Sequence, residues 1–450
     1  MSASIIDSRI FGNLFSTEAM RHVWSDENRT ASYVAIERAL ALVQGRLGII
    51  PQVAADEIVS HCDIRNIDME KLRMQTERIG SPILGVVSQL NALCRDKLGE
   101  YCHWGATTQD ITDTATVMLI REALDLVEQD LVAISAALAQ LAREYRDTPI
   151  IGRSNLQHAI PVTFGYKMAT ILASIERHRD RLDQLRARVL VGEFGGACGT
   201  LASIEHGAME TQAGLMAELG LSQPVIAWHT ARDSIAEVGC FLGLVGGTLG
   251  KIAMDVRLMM QTEVGEVFEP FTHGRGSSST MPQKRNPISS VYIHAAVSMV
   301  RQHAAALLDA MIGDHERSTG PWQIEWIALP EAFCLTAGAL QQTRVVLEGM
   351  EVDTARMRAN IDITNGLVMS EAVMMGLGRH IGREHAHDLV YDLCREALTS
   401  SRPLIDLLVE NPEVSRHLDR AALESLCDPE NYLGQSGVMV DRVLAGVAAR

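Results

Sequence analysis

Apolar residues recur at alternating steps of three and four along two long stretches of the chain. One seam runs from Val117 to Leu141 and the other from Ile235 to Met259. This spacing places the apolar side chains on one face of an α-helix, and sustained seams are typical of coiled coils and long-helix bundles. At about 1.5 Å per residue, each predicted helix is on the order of 40–50 Å long.

Prolines and glycines refine this pattern. Long runs without proline, such as 162–223 and 331–402, support long helices. A helix is predicted from Asn28 to Leu47, which Gly48 ends, and a long helix from Leu329 to Met350. Four glycines lie within the second seam, where we expect a neighbouring helix to approach closely: Gly243, Gly246, Gly247 and Gly250.

The order of these segments indicates the fold class. No stretch alternates strand and helix patterns, and no internal repeat is present. The sequence therefore predicts an all-α protein. We expect a small N-terminal helical domain at 1–110, a central long-helix bundle at 111–352 and a small C-terminal helical domain at 353–450.

Composition supports helix packing and limits the partners. Hydrophobic residues make up 47% of the chain but aromatic residues only 4%, a balance that favours helix bundles over sandwiches or barrels. The net charge of -16 excludes nucleic acid and anionic membranes as partners, so positive charge must be local. The chain lacks a long charge-free apolar run and a secretory segment, and its cysteines form no Cys-x-x-Cys. We therefore predict a cytoplasmic protein with reduced thiols.

A polar loop from Gly274 to Pro287 interrupts the apolar pattern. Its glycines, serines and prolines are incompatible with a helix or a strand. Arg275, Lys284 and Arg285 supply positive charge, and the glycine and serine backbone supplies N–H donors. This combination suits a carboxylate-rich substrate and a hydroxyl that must lose its proton, whereas a flexible linker is the simpler alternative.

The loop resembles the signature Gly-Ser-Ser-x-Met-Pro-x-Lys-x-Asn-Pro of the fumarase/aspartase superfamily, although Ser277 stands where the family has glycine. The resemblance implies that Ser278 is the catalytic base, which takes a proton from the carbon next to a carboxylate. It also implies an all-α homotetramer with a twenty-helix core, active sites shared between chains, and no cofactor or metal. The other candidates in this loop are Lys284 and Asn286 for catalysis, and Ser279 and Met281 for substrate binding.

The block from His103 to Asp110 directly precedes the first long helix. Helix capping by Asp110, Thr112 or Asp113 is one interpretation. A helix N-terminus with two adjacent hydroxyls is also an anion site, and the block resembles the superfamily region whose Thr/Ser pair binds substrate carboxylate. On that resemblance, Thr107 and Thr108 bind the substrate.

The block from Gly152 to Pro161 reads as a turn between two long helices, with Pro161 as an early helix residue. It also resembles the family sequence Gly-Arg-Thr-His-x-Gln-x-Ala-x-Pro. Asn155 stands at the position of the catalytic His of adenylosuccinate and argininosuccinate lyases, and an amide cannot donate a proton to a leaving amine. The candidates in this block are Arg153 and Gln157 for substrate binding and His158 as a substitute catalytic residue.

Charged and aromatic residues alternate from Asp314 to Trp326, between two predicted long helices. A solvated turn has no need of two tryptophans, and aromatic rings beside arginine suit a planar anion. We therefore take Arg317 and Trp322 as substrate-binding candidates. Two further blocks, 228–233 and 195–199, read equally well as functional segments or as a salt-bridged helix start and a plain loop.

Together these blocks most closely resemble the bacterial 3-carboxy-cis,cis-muconate cycloisomerases, from Trp24 to Gly434. That resemblance implies addition of a carboxylate to an unsaturated polycarboxylate, giving a muconolactone through an aci-carboxylate intermediate. In reverse the leaving group is a carboxylate, which needs no strong acid, and this accounts for Asn155. The alternative is a C–N lyase that expels an amine or nitrite from an N-substituted aspartate or nitrosuccinate to give fumarate. A non-catalytic helical protein is the remaining class, and the intact Ser278, Lys284 and Asn286 argue against it.

Overall fold

The computed structural model describes residues 4–271, 274–276 and 280–449, and it confirms the all-α class. In this part of the chain, four short strands form two antiparallel sheets: β1 (Pro149–Ser154) with β2 (Gln157–Thr163), and β3 (Val267–Phe268) with β4 (Glu351–Val352). The α-helices are α1 (Gly12–Phe15), α2 (Glu18–Val23), α3 (Asp26–Arg46), α4 (Gln52–His61), α5 (Met69–Ile79), α6 (Ile83–Leu93), α7 (Thr108–Glu144), α8 (Phe164–Val189), α9 (Ala208–Leu219), α10 (Asp233–Met259), α11 (Ile288–Asp309), α12 (Pro321–Glu348), α13 (Thr354–Asp362), α14 (Ser370–Ile381), α15 (Arg383–Ser400), α16 (Leu404–Glu410), α17 (Pro412–His417), α18 (Arg420–Cys427) and α19 (Ser436–Ala448).

Both predicted seams lie on long helices and are buried. The first belongs to α7 and the second to α10, and every seam side chain is at most 7% exposed. The glycine prediction holds at Gly246 and Gly250, where an added Cβ would lie within 3.3 Å of a Val297 side-chain carbon in α11. Gly247 instead faces open space within the described chain. Among the described residues, only α10 is long and apolar enough to cross a membrane, and its seam packs in the core.

The predicted ends of the other two helices agree with the structure to different degrees. α3 begins two residues before the predicted start and ends at Arg46, one residue before the predicted end, and Gly48 follows with a φ of 69°, in the left-handed region that ends many helices. α12 begins at Pro321 rather than at Leu329, so the predicted start was wrong. Proline suits a first turn, where its missing N–H is not needed, and Pro330 is accommodated inside the helix with the loss of one backbone hydrogen bond.

The block 152–161 is part of a β-hairpin and not a turn between helices. Pro161 lies in β2, opposite Ile151 in β1, so its prediction as an early helix residue was wrong. Asn155 and Leu156 form the tip, with φ of 51° and 62°. Positive φ at both central residues is what a type I′ hairpin turn requires, and a two-stranded sheet tolerates proline because each strand is an edge.

The chain divides into two compact units, each with its own core. In the first, buried residues of α3, α4, α6 and α7 form one apolar cluster, and in the second, buried residues of α14 to α18 pack together. The three predicted domains, at 1–110, 111–352 and 353–450, stay a prediction. The first unit comprises Met1–Leu131, His178–Gly250 and Tyr292–Gln342, and the second comprises Val132–Arg177, Lys251–Val291 and Thr343–Arg450.

Candidate active site

Asp110 organises the first turn of α7, where Thr107 lies half-buried. Its Oδ2 accepts the Thr107 backbone N–H at 2.9 Å, so the capping interpretation is correct. Its two oxygens also accept the N–H groups of Gly195 and Gly196, each at 2.9 Å. His229 Nε2 lies 2.8 Å from the same carboxylate. Asp110 therefore joins the helix start to the glycine-rich loop and to the segment before α10.

Arg317 is anchored by neutral acceptors. Its Nη1 donates to Gln109 Oε1 at 2.9 Å, and its Nη2 donates to the carbonyl oxygen of Ala197 at 2.6 Å. Gln109 is buried, and its amide nitrogen donates in turn to the His229 carbonyl at 2.8 Å. Within the described ranges, no carboxylate lies within ion-pair distance of Arg317. Its positive charge is therefore held in place without being neutralised, as a site for a substrate carboxylate requires.

Trp322 belongs to a buried charge network. Arg232 is 3% exposed and is held by Asp113 at 2.6 and 3.0 Å and by Glu325 at 2.9 and 2.5 Å. Trp322 is 8% exposed, and its indole N–H donates to Asp113 at 3.0 Å. Loss of Arg232 would leave two buried carboxylates without their counter-charge, at a cost of about 3–5 kcal/mol. Trp322 therefore has a structural contact here, and its role in substrate binding stays a prediction.

Sequence reasoning missed Glu193, which lies fully buried near His229. Its Oε2 accepts the Trp228 backbone N–H, and its Oε1 has no hydrogen-bond partner within the described chain. Burial raises the pKa of Glu193 to about 7, although His229 and the Trp228 N–H act in the opposite direction. The sequence signal was a lone glutamate in the apolar stretch 189–194.

Asp110, Glu193 and His229 have donor atoms within 4.8 Å of one another, and they are the one such group among the residues that the structure describes. His229 Nε2 is 2.8 Å from Asp110 Oδ1 and 3.9 Å from Glu193 Oε1. The Asp110 oxygens already accept three backbone N–H groups and contact His229, which leaves little capacity for a metal ion. We interpret the group as a buried cluster that holds the first turn of α7.

The hairpin exposes its tip and buries its base. Asn155, Leu156 and Gln157 are exposed, and a left-handed leucine, with φ of 62°, is a strained conformation of the kind found at functional sites. Arg153 donates to Glu266 through two hydrogen bonds of 2.8 and 2.7 Å. Glu266 is fully buried, so this ion pair fixes the hairpin base and engages the guanidinium.

His158 lies opposite Arg153 in the hairpin. Burial and the Arg153 charge lower the pKa of His158 below its ordinary value, so the ring is neutral at pH 7. Its Nδ1 is buried and has no hydrogen-bond partner in the described ranges. A neutral imidazole beside a cation is a weak proton donor, which argues against His158 as the general acid of an amine-expelling lyase. Its predicted catalytic role stays a prediction.

Ser278 and Ser279 of the signature loop lie outside the described residues, so their roles stay predictions. Asn286 closes the base of the loop, because its Nδ2 donates to the Gly276 carbonyl at 2.8 Å and its backbone N–H does so at 3.3 Å. Gly276 has a φ of 66°, and a Cβ there would lie 2.8 Å from the Asn286 carbonyl oxygen. Glycine is therefore required at this close approach.

The two adjacent cations of the loop have different surroundings. Arg285 donates to the Glu351 carboxylate at 3.0 and 2.9 Å and to the Glu269 carbonyl at 2.9 Å. Lys284 is exposed, and its ammonium makes no ion pair or hydrogen bond with the described part of the chain. Met281 is 44% exposed. Lys284 is therefore the cation of this pair that has no partner in the described part of the chain.

The candidates fall into two groups, one in each unit. The first unit brings the α7 N-terminus close to Arg317 through Gln109 and Asp110. The second unit holds the hairpin and the signature loop. Their roles toward substrate stay predictions for Thr107, Thr108, Arg317 and Trp322 in the first unit, and for Arg153, Gln157, His158, Met281, Lys284 and Asn286 in the second.

Comparison with known proteins identifies the family. Residues 8–301 match a family described as "Lyase", and residues 366–443 match "Adenylosuccinate lyase C-terminus". Trans-aconitate decarboxylase 1 of Mycosarcoma maydis is 56% identical over 433 residues, which cover 96% of this chain and 88% of that protein. The 3-carboxy-cis,cis-muconate cycloisomerase of Pseudomonas aeruginosa is 45% identical over 441 residues, which cover 97% of this chain and 96% of that protein.

A solved structure agrees with these sequence matches. The 3-carboxy-cis,cis-muconate lactonizing enzyme from Pseudomonas putida superimposes with a TM-score of 0.94 at 42% identity, over 98% of this chain and 99% of that chain. The resemblance drawn from the signature blocks is thereby confirmed, and so is the expectation of an enzyme. The chain belongs to the lyase family of the fumarase/aspartase superfamily.

Proposed function

We propose that this enzyme removes CO₂ from an unsaturated tricarboxylate, with trans-aconitate as the first candidate substrate. The muconate cycloisomerisation that the sequence blocks favoured becomes the second candidate, because identity to the decarboxylase is 56% and identity to the cycloisomerase is 45%. Both named substrates are alkenes that carry three carboxylates. The substrate class is therefore common to the two reactions, and what differs is the bond that breaks or forms.

Decarboxylation of trans-aconitate passes through the kind of intermediate that this superfamily stabilises. The C–C bond between the methylene carbon and its carboxylate breaks, and its electron pair forms a new double bond to the middle carbon. The original π pair moves to the carbon beside the other terminal carboxylate, which becomes an aci-carboxylate. One proton added to that carbon gives methylenesuccinate (itaconate) and balances the reaction. Fixed donors that face the second negative charge are the main catalytic requirement.

Asn155 is the observation that favours a reaction of this kind over amine release. It occupies the exposed tip of the hairpin, where the resemblance places an acid in amine-releasing lyases, and an amide cannot supply a proton. CO₂ leaves as a neutral molecule and needs none. His158, the nearest alternative acid in the sequence, has a pKa lowered by burial and by Arg153. The hairpin therefore suits a leaving group that departs without protonation.

The remaining candidates take complementary roles in the proposed reaction. The α7 N-terminus with Thr107 and Thr108 binds one carboxylate, supported by the unneutralised charge of Arg317. Lys284 stabilises the aci-carboxylate, since its ammonium has no partner within the described chain. Ser278 delivers the proton to carbon, which is its predicted proton abstraction run in reverse.

The second candidate, cycloisomerisation of 3-carboxy-cis,cis-muconate, is supported by the 0.94 TM-score to a lactonizing enzyme. It needs the same serine and the same donors, and it also dispenses with an acid at Asn155. The two reactions differ in outcome, because cycloisomerisation keeps every carbon atom whereas decarboxylation releases one.

We also propose that the protein assembles as a homotetramer whose active sites combine residues of several chains. An exposed apolar face on α10 supports this proposal, since Leu244 is 53% exposed and Met254 is 42% exposed. Gly247 lies on the same helix and leaves open space in which another helix can pack. A soluble tetramer in the cytoplasm remains the expected setting.

A direct assay tests the proposal. Purified protein is incubated separately with trans-aconitate and with 3-carboxy-cis,cis-muconate, and the products are followed by NMR together with CO₂ release. Itaconate and one equivalent of CO₂ are expected from trans-aconitate. Lactone formation without CO₂ release would establish the second candidate, and turnover of neither compound would overturn both. Asn155→His is expected to bring no gain, because the leaving group takes no proton, and a severalfold gain would show that an acid is needed there.

A further inference from the structure

A cavity of about 450 Å³ lies in the first unit, between α3, α5 and α7. Its volume falls within the range of small-molecule sites. The walls combine apolar residues with hydroxyl groups, and Trp326 of α12 forms part of them. Trp326 is 37% exposed, whereas Trp322 one turn earlier is buried. The accessible tryptophan of the 314–326 block therefore belongs to this cavity, which the sequence reasoning did not identify.

Arg29 is the unusual charge in the cavity wall. No carboxylate of the described chain lies within ion-pair distance of its guanidinium, which lies 5.9 Å from the Trp24 ring centre. Arg73 lines the same cavity but is neutralised by Glu70 at 2.6 Å and Glu77 at 2.5 Å. In a chain with a net charge of -16, an arginine that faces a cavity without a carboxylate partner is a binding group for an anion.

The other polar groups of the cavity wall are compatible with an anion. Tyr33 is buried, and burial raises the pKa of its hydroxyl, so it stays protonated and can donate. Thr112 and Thr116 of α7 also line the cavity, but their hydroxyls donate to carbonyl oxygens of α7. Of the two carboxylates in the wall, Asp26 is exposed at the start of α3 and Glu77 is paired with Arg73. An arginine without an ion-pair partner in the described chain, one hydroxyl donor and an apolar wall suit a single carboxylate carried on a carbon skeleton.

Helix geometry relates the cavity to the predicted carboxylate site. Thr108, Thr112 and Thr116 follow one another at steps of four and share one face of α7. The cavity therefore begins one turn, about 5.4 Å, along the helix from the N-terminal residues that we assign to substrate carboxylate. The cavity and the predicted carboxylate site are therefore neighbours along one face of α7.

We propose that this cavity is a substrate subsite in which Arg29 binds a second carboxylate, the one on the middle carbon of the tricarboxylate. The inference rests on the proposed function for the identity of the substrate. It assigns Arg29 a role in specificity, since a substrate without that carboxylate leaves a desolvated guanidinium without its partner.

The experiment compares two substrates that differ only in this group. Glutaconate is trans-aconitate without the carboxylate on the middle carbon. We expect Arg29→Leu to lower kcat/KM for trans-aconitate by about 10- to 100-fold, the usual worth of a charge-assisted hydrogen bond, and to leave kcat/KM for glutaconate nearly unchanged. Arg73→Leu is the matched control, because it removes a neutralised arginine from the same cavity, and both ratios should stay within about twofold of wild type.

Binding without turnover separates this inference from the proposed reaction. Calorimetry compares tricarballylate, a saturated tricarboxylate, with glutarate, which lacks the middle carboxylate. Preference for tricarballylate that disappears in Arg29→Leu supports the subsite, even if no CO₂ is released from any substrate. Decarboxylation with an unchanged preference in Arg29→Leu would overturn the subsite and leave the function standing. If Arg29→Leu does not fold, Arg29→Gln replaces it, and an undiminished preference in that folded variant, which carries no charge, would count against the subsite.

Discussion

Replacement of the buried Glu193 by glutamine tests the electrostatics beneath the α7 N-terminus. The pKa of this carboxyl is raised by burial from 4.5 to about 7, so the folded state holds the proton more tightly than the unfolded state does. Below pH 4.5 the carboxyl is protonated in both states and does not lower the free energy of unfolding. Between pH 4.5 and 7 the unfolded state ionises first, so stability is lost as the pH rises, and above pH 7 the full penalty is present.

The expected size follows from the shift. At about 1.4 kcal/mol per pKa unit, the penalty above pH 7 reaches roughly 3 kcal/mol as an upper bound. Glu193→Gln keeps the side-chain volume and an oxygen for the Trp228 N–H, and it removes the titration. We therefore expect the variant to match wild type at about pH 4 and to be more stable at pH 8.5 by up to about 3 kcal/mol.

Chemical unfolding at equal protein concentration, followed by tryptophan fluorescence at several pH values, measures this difference. Glu205→Gln provides the control, since it removes an exposed glutamate close in sequence and should show no such pH dependence. A Glu193→Gln variant that is destabilised at pH 8.5 would refute the reasoning. That result would mean that the ionised carboxylate stabilises the fold, for which the His229 ring 3.9 Å away is the nearest candidate partner.

Three further predictions concern turnover. Ser278→Ala should abolish activity with little change in the thermal midpoint, and retention of a tenth of wild-type kcat would exclude Ser278 as the proton-transfer residue. Lys284→Met should lower kcat by at least about 100-fold at unchanged stability, whereas Arg285→Met should mainly lower the thermal midpoint. Equal losses of kcat in the two variants would contradict a catalytic role for Lys284 and a structural role for Arg285. Mixing Ser278→Ala with the double variant Thr107→Val/Thr108→Val after dissociation should restore activity if chains share sites, and hybrid tetramers without activity would count against sharing.

The helices could be predicted from the sequence because their signal is local. The seams of α7 and α10 repeat over many turns, and each apolar position reports the same buried face. The hairpin could not be predicted in this way. Its strands are short, and its tip has Asn155 and Leu156 where glycine is usual. Pro161 is also a residue that is common at the start of a helix, although here it lies in β2. Pairing between strands depends on contacts between the strands, which the spacing of apolar residues along the chain does not reveal.

The sequence can propose a site residue that lies in a known motif, but it cannot identify the contacts that decide what that residue does. Thr107 and Arg317 follow from motif blocks, but the sequence cannot show that Gln109 holds the Arg317 guanidinium. The sequence does not distinguish Arg29 from Arg73. In the structure Glu70 and Glu77 neutralise Arg73, whereas Arg29 has no ion-pair partner in the described chain. Burial and the choice of partner are properties of the folded chain, so only the structure separates anchoring residues from available ones.

The signature loop shows why this separation matters for catalysis. Arg285 is held by Glu351 and lies 4.9 Å from the Phe268 ring centre, and Asn286 ties the loop base to Gly276. Both residues therefore hold the backbone that carries Lys284. We expect Lys284 to stabilise the second negative charge of the transition state, which requires a fixed position and an unneutralised charge. Neutral contacts meet both requirements at Arg317, and in the loop Arg285 and Asn286 fix the backbone beside Lys284, whose ammonium has no partner within the described chain.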